Sequence, residues 1–122
     1  MGWNLDDSRP IWPQLKGQLM RDIVAGRYNM GEAFPTVRDL AEEAGVNRNT
    51  MQRALSELEN EGLVITNRTA GRTVTDDEGL IAGIKASIAE ENIGKFMDEM
   101  AAIGYSADEV VDIIKNKGVE NK

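Results

Sequence analysis

The 122 residues carry 14 Lys or Arg against 21 Asp or Glu, a net charge of −7, with no cysteine and no histidine. That excludes a disulfide framework, argues against a zinc site, and sets the whole-chain charge against a nucleic-acid partner unless the cations are segregated. The N-terminal MGWNLDDSRP has two acidic residues and no long apolar run, and no later stretch approaches the ~20 apolar residues of a membrane span. The expectation is therefore a cytoplasmic chain with no signal peptide and no membrane partner, of one domain or one domain with an appendage.

Trp3 stands ahead of Asp6 and Asp7 with no periodicity around it, and reads either as a cap on the core or as a contact to a partner subunit. A first helix over about 10 to 25 puts Trp12, Leu15, Leu19 and Ile23 on one stripe and stops at Gly26. This is core spacing, so Trp12 is expected in the core.

Residues 34 to 55, FPTVRDLAEEAGVNRNTMQRAL, have the spacing of a helix-turn-helix, with the whole motif over about 36 to 60. Thr36 reads as an N-cap with Asp39 at the third helical position, close to a capping box. Leu40 and Ala44 share a stripe, small Ala41 lets helices approach closely, and Gly45 can take the positive φ that turns the chain. Val46 then plugs the gap, and Met51 and Ala54 form the inner stripe of the second helix. Arg38 lies in the first turn of the first helix on its outward side. It is placed either to reach the phosphate backbone or to pair with Glu42 at i+4.

A helix held in this way projects its other face outward, as a recognition helix does into a DNA major groove. Here that face is Asn47, Arg48, Asn49, Thr50, Gln52 and Arg53. Asn47 suits an N-cap, which puts Arg48, Asn49 and Thr50 in the first turn, where free N–H groups and the positive dipole end attract phosphate. Arg matches guanine O6 and N7, Asn and Gln match adenine N6 and N7, and Thr reaches phosphate or the thymine methyl.

After Gly62, LVIT at 63 to 66 and TVT at 73 to 75 flank NRTAGR, which reads as a hairpin over about 63 to 75. Arg68 and Arg72 flank Gly71, so the tip is expected to lay two cations and a bare backbone along phosphates or the minor groove.

The last segment, 76 to 122, reads as two helices. The first, about 77 to 103, carries Leu80, Ile84, Ile88, Ile93, Phe96 or Met97, Met100 and Ile103, with a slip between Ile88 and Ile93 that suggests a kink. Gly104 and Tyr105 end it. Ser106 with Glu109 makes a capping box for the second helix, which carries Val110, Ile113 and Ile114 ahead of Gly118. Two helices cannot bury these stripes by themselves, so they either fold onto the head or pair with another subunit. The fold expected is mainly α with a small β-hairpin: a winged helix-turn-helix head over 1 to 75 and a two-helix dimerisation tail over 76 to 122.

From about Pro10 to Val74 the chain resembles the GntR family of bacterial transcriptional regulators. PIWPQL at 10 to 15 stands for the family's PIYxQI. GRYNMGEAFPTVRDLA at 26 to 41 follows its second stretch, with Phe34 for the usual Leu and Thr36 for Ser. GVNRNTMQRALSELENEGL at 45 to 63 follows its third. The resemblance implies DNA contacts from Arg38, Asn47, Arg48, Asn49, Thr50, Gln52 and Arg53, and makes the hairpin the wing. The wing departs from the family's G-x-G-T-F-V, because Ala70 and Gly71 leave one glycine and the Phe missing. The large effector or aminotransferase-like domains that follow many such heads have no room in 47 residues. The short helical tail instead resembles the YtrA-like subfamily, whose small members dimerise through two C-terminal helices and often control transporter operons.

The charge divides along the same line. Residues 1 to 75 hold nine basic and ten acidic side chains, a net of −1, and 76 to 122 hold five and eleven, a net of −6. The acidity is in the tail, so a docking face that gathers Arg38, Arg48, Arg53, Arg68 and Arg72 is compatible with DNA. The function expected is a homodimeric transcriptional repressor on double-stranded, palindromic operator DNA, not an enzyme, with no cofactor and an effector left unspecified. The alternative is a winged helix that binds protein instead of DNA.

Overall fold

A computed structural model describes residues 3–69 and 71–120, the side chains of 119 and 120 excepted. Ala70, at the expected wing tip, lies outside the described residues. The elements run α1 (Ile11–Val24), α2 (Val37–Ala44), α3 (Arg48–Asn60), β1 (Val64–Asn67), β2 (Gly71–Val74), α4 (Glu78–Ala102) and α5 (Ala107–Glu120). They divide into two compact units, residues 1–85 and 86–122, with the boundary inside α4.

In the first unit, α3 packs against α1 and α2 over a core of Leu15, Leu19, Ile23, Leu40, Ala41, Met51, Ala54, Leu55 and Leu58. The stripe of α1 is Ile11, Leu15, Leu19 and Ile23, an unbroken run of i+4 steps, and Ile11 takes the place expected for Trp12. Trp12 is only half-buried and is not part of the core. Trp3, by contrast, packs on the core and its Nε1 donates to Glu43 Oε1 at 3.4 Å. Of the two roles open to Trp3, this is the cap.

β1 and β2 pair antiparallel, with Val64 opposite Val74 and Asn67 opposite Gly71. The strands are one or two residues off the expected runs, since Leu63 is already in the core and β2 begins at Gly71, whose φ is +73°. The other edge of β2 is covered by 31 to 34, a segment with no strand period of its own. Phe34 N–H donates to Arg72 C=O (2.8 Å), Gly31 N–H to Val74 C=O (2.9 Å), and Val74 N–H to Glu32 C=O (2.9 Å). Buried Phe34 fixes this segment, with the Tyr28 ring tilted against it at 4.8 Å between ring centres.

Asp77 caps α4 through its Oδ1, which accepts from Leu80 N–H at 3.0 Å. Ile81 and Ile84 then pack on the head core, and the Leu80 side chain lies beside Gly62. Leu80 and Ile84, expected on the stripe of the dimerisation tail, are thus half-buried at the start of α4, Ile84 against the head core and Leu80 beside Gly62. α4 is a single continuous helix from Glu78 to Ala102, across the slip between Ile88 and Ile93.

In the second unit, Ser106 and Glu109 form the capping box reciprocally: Ser106 N–H donates to Glu109 Oε1 (2.9 Å) and Glu109 N–H to Ser106 Oγ (3.2 Å). The hydrogen bonds from Ser106 hold the Glu109 carboxyl below the ordinary glutamate range. Helix α5 continues through Gly118 instead of stopping before it. Val110, expected on the tail's apolar stripe, is buried within the single chain, and Ile88, Met97 and Met100 are half-buried. Ile93, Phe96, Ile113 and Ile114 stay exposed, Ile93 at 59% and Ile114 at 52%.

Candidate nucleic-acid interface

The turn between α2 and α3 is built by local chemistry. Thr36 Oγ1 accepts from Asp39 N–H at 3.1 Å and starts α2. Gly45, at φ +71° and ψ 36°, ends it in the left-handed conformation. Val46 N–H reaches back to Ala41 C=O (3.0 Å) and Gly45 N–H to Glu42 C=O (3.3 Å), the paired bonds of a Schellman motif. Any side chain at position 45 would meet the steric cost of positive φ and loosen the angle at which α3 leaves. Asn47 Oδ1 then accepts from Asn49 N–H at 2.7 Å, so α3 begins at Arg48 as expected.

Because Met51, Ala54, Leu55 and Leu58 face the core, the opposite side of α3 faces solvent. Asn47, Arg48, Asn49, Gln52 and Arg53 are exposed and Thr50 is half-buried. The Asn47 acceptor is committed to the cap, leaving its amide N–H groups to meet a partner. Gln52 Nε2 donates to Ser56 Oγ (3.1 Å), which orients its amide along the helix.

The five cations expected on this face differ in their surroundings. Arg38 is exposed and pairs with exposed Glu42, Nε to Oε1 at 3.5 Å, a loose contact that solvent screens. Arg48, Arg53 and Arg68 form no ion pair among the described residues. Arg53 instead lays its guanidinium over the Trp12 ring, 4.4 Å from the centroid. No sequence signal marks this contact, since the two residues are far apart in the chain and Trp12 also fits a core stripe.

At the wing, Asn67 Oδ1 accepts from Thr69 N–H and from Thr69 Oγ1, both at 3.1 Å, and shapes the turn that exposes Arg68. Gly71 is exposed beside it. Arg72 does not sit at the tip as expected. It lies within β2, half-buried, and its Nε donates to Glu59 Oε1 of α3. The sequence reading did not single out Glu59, which no local pattern distinguishes from a solvated helix charge. Burial pushes the Glu59 carboxyl up, but hydrogen bonds from Arg72 and Thr66 and the Arg72 charge outweigh it, and the net shift is downward.

The pair ties the wing to the recognition helix, with a definite pH signature. A lowered native pKa means a stabilisation that is complete above the ordinary value of 4.5 and is lost as pH falls through the lowered one. Arg72→Ala should destabilise the head by roughly 1–2 kcal/mol at neutral pH. It should also flatten the acid limb of the stability curve, measured by thermal unfolding between neutral and acid pH. An unchanged acid limb would show that the pair does not brace the wing.

No helix among the described residues is long and apolar enough to cross a membrane, and none of their acidic side chains cluster as a metal site. The family profile described as "Bacterial regulatory proteins, gntR family" matches residues 13–74. The chain is 31% identical over 108 residues to the uncharacterized HTH-type transcriptional regulator YhcF of Bacillus subtilis, covering 88% of this chain and 89% of that protein. It is 27% identical over 117 residues to the HTH-type transcriptional repressor YtrA of the same organism, covering 94% and 89%. Its fold matches a GntR family transcriptional regulator from Listeria monocytogenes with a TM-score of 0.84 at 33% identity, covering 92% of this chain and 98% of that one. The winged helix-turn-helix, the family profile and these full-length similarities together place the chain in the GntR family of DNA-binding transcriptional regulators, which are not enzymes, and within its YtrA-like subfamily.

Proposed function

We propose that this chain is a homodimeric repressor that reads a palindromic operator, with one α3 in the major groove of each half-site. The observation that carries the reading is the exposed polar start of α3, Asn47 to Arg53, set on a fully buried inner face and capped so that its first turn is rigid. Direct readout is assigned to Arg48, Asn49, Gln52 and Thr50, and backbone contact to Arg38, Arg53, Arg68 and the Gly71 backbone. Asn47 contributes through its amide donors, and Arg72 acts by holding the wing against Glu59.

Homodimerisation is supported by Ile93, Phe96, Ile113 and Ile114, which one chain leaves in water. Each such side chain gains about 1.5–3 kcal/mol when fully buried, so a second copy is the natural cover. Repression is supported by the similarity to YtrA, which is named a repressor. The subfamily resemblance favours transporter operons as the regulated genes.

Selection of duplexes from a random library by the purified chain, followed by gel shift, tests the reading. The expected product is an inverted repeat with half-site centres a whole number of helical turns apart, about 10 base pairs or a multiple of it. Failure to enrich any sequence would favour a winged helix that meets protein instead.

A further inference from the structure

We infer that Trp12 is a positioning residue for DNA binding, whose ring holds the Arg53 guanidinium at the α1 side of α3 to meet a backbone phosphate. The inference rests on the reading of α3 as the DNA-contacting helix and adds a residue from outside the helix-turn-helix to it.

Three observations converge on the pair. Trp12 is half-buried but contributes nothing to the head core, where Ile11 occupies the stripe. Arg53 is exposed and forms no ion pair among the described residues. Its guanidinium lies 4.4 Å from the centre of the Trp12 ring.

Stacking satisfies one face of a guanidinium and leaves the N–H groups around its edge free to donate. A lone exposed Arg would have to give up rotamer freedom on meeting DNA, and the Trp12 ring removes part of that freedom beforehand. Phosphate is the fitting acceptor. Base edges are read from the first turn of a recognition helix, whereas Arg53 sits in the second turn and leans toward α1.

The test uses the full chain, a duplex that the wild-type chain enriches from a random library, and a scrambled duplex of equal composition. Arg53→Ala should weaken both duplexes similarly and reduce the salt slope by about 0.9 per half-site. Trp12→Leu should weaken both by about 2–5-fold, and Trp12→Phe, which keeps a ring, by less. In an Arg53→Ala background, Trp12→Leu should have no further effect, which a merely structural role for Trp12 would not produce. A Trp12→Leu penalty of the same size with and without Arg53 would overturn the inference while leaving the reading of α3 intact. An Arg53→Ala loss confined to the enriched duplex would overturn the phosphate assignment. A wild-type chain that enriches no duplex would overturn both the inference and the reading beneath it.

Discussion

A chain ended after Lys85 should remain folded and monomeric, and its affinity for a palindromic duplex should fall by about 10²–10⁴. The head keeps its own core in such a fragment, including Ile81 and Ile84 of α4, whereas the exposed apolar side chains Ile93, Phe96, Ile113 and Ile114 are all removed. Joining two heads makes the second half-site contact intramolecular, and its loss leaves the affinity of a single half-site. Ending the chain earlier, after Thr75, should behave differently. It strips Ile81 and Ile84 from the head at a cost of roughly 1–3 kcal/mol, visible as a lower melting temperature. Ile93→Asp combined with Ile114→Asp should give monomers without shortening the chain. Both positions face water in one chain, so the charges disturb only a seam between copies. Light scattering decides the matter: a stable dimer of residues 1 to 85 would place the seam in the head.

Arg48→Ala should cost about 1–3 kcal/mol on the enriched duplex and narrow the gap between it and random DNA. Arg48 is the first residue of α3, is exposed, and forms no ion pair among the described residues, so its removal should leave the melting temperature unchanged. The effect should then appear in binding alone. It differs in kind from that of Arg53, because a base contact discriminates between sequences and a phosphate contact does not. Unchanged affinity for the enriched duplex, with the fold intact, would remove Arg48 from the readout.

Much of the head was legible because its determinants are local. Thr36, Asn47 and the Ser106–Glu109 pair cap the helices that they were expected to cap. Gly45 turns the chain with the positive φ that its place between two stripes requires. Leu40, Met51 and Ala54 are buried as their spacing predicts. Capping and periodicity act within a few residues, where sequence order and spatial neighbourhood coincide.

Position in a stripe did not say what covers the stripe. Leu80 and Ile84 continue the same apolar run as Ile93 and Phe96, yet the first pair is half-buried at the head and the second is left to water. Trp12 and Ile11 are neighbours on one helix turn, and only tertiary packing set Ile11 against the core and Trp12 against Arg53. The residues by themselves determined the helices, their caps, the turn between α2 and α3, and the polar face that α3 turns outward. The tertiary structure decided the contacts between residues distant in the chain: Arg72 with Glu59, Trp12 with Arg53, and 31 to 34 along the edge of β2. Such pairs follow from how the elements approach one another in space, and no helical or strand period encodes them.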